Sequence, residues 1–427
     1  MNWLDEIVAQ HAELESPQSF WRWAALAAMS AVVKDKIWMH RQIYNLYPNI
    51  YVMLHAESGM KKGPPISMAK QLVAPLKVTK IISGRSSIQG ILKELGSAQT
   101  QPGGKVQTNS VAFICSSELS SSIVEDKVAT TILTDLYDRQ YNVGQWQSLL
   151  KMETFQLKDP TITMLTATNE AMSEDFFTKS AIQGGYFART FIIYEKEGVN
   201  SNSLIYPLEN PPNYIKSSEY LYEISKLTGK FQDLAQVEKD NEYRFVKVKE
   251  VNGRLRDIYF NETGIIYDDW YDNFKKMIKE QEIKDETGTL NRFGDSVLKV
   301  AMLMALCDKP ELVITPQVMS QTILDCEKLI GNVRRTTMGK QGISNSALLK
   351  SLIIMELLNR ENHQVTRTVL MKKLWMHYEK MEEFDSLMLS FDQAGMISTS
   401  SVGNQILYTM PDSQVSELKK FMSGKSR

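Results

Sequence analysis

Through the first half of the chain, short β-branched and aromatic runs alternate with longer stretches whose apolar positions recur every three to four residues. Met1 to Met39 reads as helical, with Trp3, Leu4, Ile7 and Val8 on one face and then the apolar SFWRWAALAAMSAVV; its small residues permit close helix packing. Ile50 to Leu54 is a first strand, and a Gly- and Lys-containing turn leads from it to Pro64-Pro65, which opens an apolar-periodic helix. Val78 to Ser83 predicts a second strand, Arg85 to Leu95 a helix, and Gly96 to Asn109 a polar loop. Val111 to Ser116 is continuously apolar up to its last residue, as expected of a strand buried on both faces of a parallel sheet. Val128 to Asp138 predicts a helix, and Asn142 to Leu157 a hairpin with Trp146 and Lys151 near its tip. Thr161 to Asn169 is a further strand, and a glycine turn at Gly184-Gly185 precedes Arg189 and a fifth strand ending at Tyr194.

The texture changes from Glu197 to Lys216, where Asn, Ser, Pro and Gly mark a linker or domain edge. Ser217 to Leu234 predicts a helix, Tyr243 to Lys249 and Leu255 to Phe260 a strand pair around Asn252-Gly253, and Gly264 to Lys279 another helix. Leu290 to Leu306 and Pro316 to Val333 predict two more. Three helices (Asn345 to Asn359, Thr368 to Met376, Glu383 to Ala394) followed by a β-turn-β end are the winged-helix pattern, which serves duplex DNA binding or protein docking.

Composition narrows the picture only a little. The 427 residues are 43% hydrophobic and 23% charged, which is ordinary for two or three globular domains. No long apolar run or signal peptide is present, so a soluble, cytoplasmic protein with no membrane partner is expected. Cys115, Cys307 and Cys326 are scattered, as are the five histidines, and neither set has metal-ligand spacing. A net charge of −1 requires any nucleic-acid contact to come from a local basic surface.

The turn after the first strand holds the chemistry. A loop that runs from a buried strand into a helix start points amides and the positive end of the helix dipole at one spot, where a phosphate can sit. Against G-x-x-x-x-G-K-[ST], Lys62 stands at the motif lysine, Ala56 at the first glycine, Lys61 at the second, and Gly63 where Ser or Thr would hold Mg²⁺. In P-loop ATPases a downstream buried strand ends in Asp-Glu; here Ser117 stands in the place of the aspartate and Glu118 in that of the glutamate, an acid that a helix N-terminus also favours. An ordinary Gly/Lys surface turn is the alternative reading of this stretch.

The order of PNIYVMLHAESGMKKGPP, VAFICSSEL, LTDLYD, TITMLTATN and GGYFARTFIIY resembles the AAA+ P-loop ATPases of phage and mobile-element replication proteins, similar to the minichromosome-maintenance and superfamily III helicases. The resemblance implies an α/β P-loop core at 48–196, preceded by N-terminal helices at 1–47. A linker and helical lid at 197–340 and a winged-helix domain at 341–427 would follow. It implies nucleotide phosphates at Ser58, Gly59, Lys61, Lys62 and Gly63, and Glu118 as the base. Asn169 would be the first sensor, Arg189 an arginine finger supplied to the neighbouring subunit, and Arg292 a second sensor. Trp146 and Lys151 would grip DNA from the hairpin, with inward packing of the Trp as the alternative. Lys372 and Lys373 would contact DNA from the winged helix, although Glu379, Glu382 and Glu383 leave protein docking open. The expected cofactors are ATP and Mg²⁺, the latter held largely through water. The expected partners are single-stranded or duplex DNA, further copies of the chain in a hexameric ring, and replication partner proteins, and the expected location is the cytoplasm of a bacterial host cell. Two functions follow: a helicase-like motor, or a DNA-binding scaffold or loader that hydrolyses weakly or not at all.

Overall fold

The computed structural model describes residues 2–41, 43–84, 87–97, 99–100, 106–107, 110–117, 127–138, 145–149, 154–169, 185–196, 212–239, 243–251, 253–280, 285, 288–333, 353–360, 362–374, 381–402 and 405–416. The chain divides into two compact units, Met1–Val333 and Arg334–Arg427.

The first unit is mixed α/β and is built on a five-stranded parallel sheet. Its strands are β1 (Tyr51–Ala56), β2 (Lys80–Ser83), β3 (Val111–Ser116), β4 (Thr161–Asn169) and β5 (Thr190–Tyr194), in the spatial order β5-β1-β4-β3-β2. β1 and β4 are buried along nearly their whole length; β1 accordingly reads as a nearly continuous apolar run, whereas β4 buries its threonines as well as its apolar residues. The chain leaves β1 for the far edge of the sheet, and only β5 returns to pair on its other side. β1 is therefore the topological switch point, and the crevice beyond its carboxyl end is the favoured ligand site of an open parallel sheet.

Helices cover both faces. Cluster membership assigns Leu54, Ala56, Leu165 and Ala167 to one face, together with α1 (Trp3–Gln10), α2 (Gln18–Val33), α3 (Gly63–Val73), α6 (Tyr214–Lys226), α7 (Glu262–Glu280), α8 (Thr289–Asp308) and α9 (Pro316–Val333). The other face packs Met53, Ile162 and Met164 against α4 (Ile88–Gly96) and α5 (Lys127–Asp138). The segments expected as N-terminal helices, core and lid thus share one continuous hydrophobic cluster, from Trp3 to Leu329.

Two stretches depart from the sequence reading. The first helical region breaks at Lys34, whose φ of 56° ends α2, and Ile37–Arg41 pairs as a strand with Tyr44–Leu46 and with Gly229–Lys230. Ile37-Trp38-Met39 is β-branched and aromatic, so once the left-handed residue stops the helix the chain is well suited to extend. Likewise the helix expected to reach Leu234 ends at Lys226: Leu227 is already extended (φ −65°, ψ 142°), and Gly229 at φ 143° leads into short strands. The basic side chain of Lys80, 5% exposed, offers another local solution: its ammonium donates to the carbonyls of Glu94 (2.8 Å), Leu95 (3.3 Å) and Ser97, closing the C-terminus of α4.

The second unit packs helical residues 353–358, Arg367–Leu374 and Met381–Gln393 on a three-stranded antiparallel sheet, Gln364–Thr366, Gln405–Thr409 and Ser398–Val402. Leu357, Leu370, Phe384 and Tyr408 are among the residues of its separate core. Among the described residues, no helix of either unit is long and apolar enough to cross a membrane.

Candidate functional site

The turn after β1 is exposed and bent by two left-handed residues, Gly59 (φ 94°) and Lys61 (φ 47°). Glycine takes this conformation freely, whereas a residue with a Cβ takes it at a cost of about 1 kcal/mol or more. Lys61, which aligns with the second glycine of the motif, therefore takes its left-handed conformation without the residue that would make it easy. The Lys61 amide donates to the Gly59 carbonyl at 2.8 Å. Lys62 caps α3 and folds its side chain back across the loop. Its ammonium donates to the carbonyl of Ala56 at 2.8 Å and to that of Glu57 at 2.7 Å, and partial burial lowers its pKa.

The helix that follows is a poorer amide donor than the motif's. Gly63 opens α3, and Pro64 and Pro65 lack the N–H groups that the next two positions would have offered. The amides of Lys62 and Gly63 remain, with no intrahelical acceptor at a helix start. Open space surrounds Gly59 and Gly63: a methyl group built on either would meet no atom within 4 Å.

Register places the other strand ends beside this loop. β4 lies between β1 and β3, with Asn169 opposite Ala56 and Thr166 opposite Ser116. By strand alternation the Asn169 side chain falls on the face of Leu165, Ala167 and Ala56, which α3 covers. Asn169 and the loop residues Ser58, Gly59, Lys61, Lys62 and Gly63 are thereby brought to one edge of the sheet. Ser117 follows β3 at the same edge; Glu118 lies outside the described residues. For Mg²⁺ the fit is poor, since Gly63 has no side chain and no group of three His, Cys, Asp or Glu able to hold a metal occurs among the described residues.

Arg189 and Arg292 go to the opposite edge. Arg189 immediately precedes β5, where Thr190 pairs with Tyr51, so the length of a six-residue strand, roughly 20 Å, separates it from the loop of its own chain. Its guanidinium is 7% exposed: Nε donates to Asp138 Oδ1 at 3.1 Å, one terminal nitrogen to Asp138 Oδ2, and the other to the Gly185 carbonyl at 2.9 Å. Within this chain the guanidinium expected as a finger is buried and held by a two-point carboxylate partner. Arg292, on the first turn of α8, lies 3.6 Å from the same Asp138 carboxylate and is half exposed. It therefore does not reach this chain's own loop as a second sensor would.

These arginines border a cavity of about 410 Å³ that also meets Asn49, Tyr137, Asp295 and Lys299. Lys299 is fully buried, with its ammonium 3.0 Å from Asn49 Oδ1, 3.2 Å from the Asn49 carbonyl and 3.6 Å from the centre of the Tyr137 ring. Burial pushes its pKa down to about 7, against the pull of Asp138 and Asp295. A larger cleft, about 910 Å³, opens between α1, α2, α8, α9 and the end of β5. Arg22 in its wall is paired with Asp325 at 2.7 Å and Asp5 at 3.3 Å, and no loop residue lines it.

Among the DNA-contact residues, Trp146 is partly buried and packs with Phe155 against the core of the α4/α5 face. The inward alternative is thus the observed one, and the ring is not an open stacking platform. Lys151 lies outside the described residues, and for Lys372 and Lys373 the structure describes only their place on helix Arg367–Leu374. Asp138, Asn49 and Lys299 were missed in sequence; a single lysine inside the apolar run SVLKVAMLMAL was the one available signal. Also missed were Glu15 and Ser16, polar residues far upstream that touch the loop only through folding. No protein-family model matches the sequence, and no curated protein matches it.

Proposed function

We propose that the first unit binds ATP on the loop 57–63 and works as a ring-forming motor in the DNA replication of a phage or mobile element. The observation that carries this reading is the register of Asn169 opposite Ala56, with β4 inserted between the loop strand and the strand ending at Ser116. That order brings the lysine loop, Asn169 and the end of the strand that leads to Ser117 to one edge of the sheet, which supports the resemblance to AAA+ helicases. Lys62 supports it further, because its ammonium rests on two loop carbonyls that a triphosphate would replace as its partner.

The arginines support assembly rather than the subunit's own site. A face carrying Arg292 and Asp138 at one end of the sheet and a phosphate loop at the other suits head-to-tail contacts, which close into rings. In such a ring Arg292 is the exposed cation available to a neighbour's nucleotide, and Arg189 supports it through Asp138. The winged-helix-like second unit would supply contact with duplex DNA or a replication protein.

Gly63, Ser117 and the two prolines favour a second reading, in which the chain binds nucleotide weakly and serves as a DNA-bound scaffold or loader. Steady-state ATP hydrolysis, measured with and without single-stranded DNA, separates the two. The motor reading expects DNA-stimulated turnover that Lys62→Ala abolishes; turnover equal to that of Lys62→Ala leaves the scaffold.

A further inference from the structure

The turn joining α1 to α2 lies directly against the loop. Ser16, 2% exposed, donates its hydroxyl to the Lys61 carbonyl at 2.7 Å, and its own carbonyl accepts the indole N–H of Trp21 at 3.2 Å. Beside it the Glu15 carboxylate lies 3.6 Å from the Lys61 ammonium. The loop residue in the costly left-handed conformation is thus the one that this turn grips at both backbone and side chain.

A trans peptide is planar, so the carbonyl of Lys61 and the N–H of Lys62 point in opposite directions. With the carbonyl held by Ser16, the Lys62 amide is turned away from the α1–α2 turn. Pro64 and Pro65 have removed two donors from the next positions, which makes the direction of each remaining amide matter more. We propose that Ser16 is a positioning residue for nucleotide binding: by fixing the Lys61 carbonyl it aims the Lys62 amide, and sets the root of the Lys62 side chain, for a bound triphosphate. This rests on the nucleotide reading above and extends it, because it makes the N-terminal helices part of the site.

The test is equilibrium titration of ATP onto the full chain, comparing wild type, Ser16→Ala, Ser16→Thr, Lys62→Ala and Ser218→Ala. Ser218 provides a matched control: it is also buried and donates to the carbonyl of Leu72, 3.0 Å away at the other end of α3. Loss of one such bond corresponds to about a five- to tenfold change in affinity. Ser16→Ala is expected to weaken ATP by that factor, Ser16→Thr to recover most of it, and Ser218→Ala to lower thermal stability without moving affinity. Should Ser16→Ala fail to fold, Ser16→Cys, a weaker donor, is expected to show the same loss. Wild-type affinity in Ser16→Ala with weakened binding in Lys62→Ala overturns the positioning role alone, as does an equal affinity loss in Ser16→Ala and Ser218→Ala. Absence of binding by wild type overturns the nucleotide reading and this inference with it.

Discussion

Arg189 and Asp138 form a two-point ion pair in which the arginine is almost wholly buried and the carboxylate is part-exposed, 39%. The pair ties the start of β5 to the end of α5, and a third bond from the arginine closes the turn at Gly185. Both groups are held at the sheet edge away from the loop, so their first duty is to the fold.

Removing the arginine should therefore register as stability. Arg189→Ala is expected to lose about 3 kcal/mol in urea denaturation, and Arg189→Lys, which cannot make the two-point contact, somewhat less. A loss below about 1 kcal/mol together with abolished ATP turnover would speak instead for a finger acting on a neighbour.

Lys299 predicts a pH dependence whose sign is fixed. Its folded pKa, about 7, lies below the ordinary lysine value of 10.5, so below pH 7 both states are protonated and the burial penalty is full. Between pH 7 and 10.5 the unfolded chain holds the proton and the folded one does not, so this site's contribution to stability rises with pH. Lys299→Met should gain most over wild type at pH 7 and below, by an increment that shrinks by on the order of 4 kcal/mol as pH approaches 10. Chemical denaturation of both proteins at pH 6, 8 and 10 checks this; a constant difference would show that the ammonium is not the source.

The departures at Gly63 and Ser117 are open to repair. No atom lies within 4 Å of where a Cβ would stand on Gly63, and its φ is not left-handed, so a serine is sterically free there. The double variant Gly63→Ser, Ser117→Asp restores a hydroxyl and a carboxylate suited to Mg²⁺. ATP turnover is expected to rise at least about tenfold, equivalent to 1.4 kcal/mol of barrier, and to become more strongly Mg²⁺-dependent. Unchanged turnover would mean that the loop does not face the metal of a bound nucleotide.

The sheet was legible because β1 and β3 are buried on both faces, which leaves nearly unbroken apolar runs, because β4 is rich in threonine and apolar residues suited to a strand, and because the loop between β1 and α3 keeps its glycine, lysine and proline punctuation. Tertiary partners decided the rest. IWMHR suits a strand locally, but nothing in it announces a partner some 190 positions later, and only Lys34 at φ 56° shows why α2 stops. Arg189 after a glycine turn has the same letters whether it reaches outward or inward; Asp138, about 50 residues earlier, settles its direction. Trp146 is a similar case, since its hairpin lies on a helix that the local pattern does not identify as its neighbour. Ser16 gave no sequence signal at all, because its role exists only across the contact with Lys61.

Equilibrium titration of ATP onto wild type and Lys62→Ala decides whether the loop 57–63 holds a triphosphate through Lys62. Saturable binding by wild type is expected, with affinity about 10- to 100-fold weaker in the variant, the range for charge-assisted bonds to phosphate. Equal affinities, or no binding by wild type at any protein concentration, would contradict it.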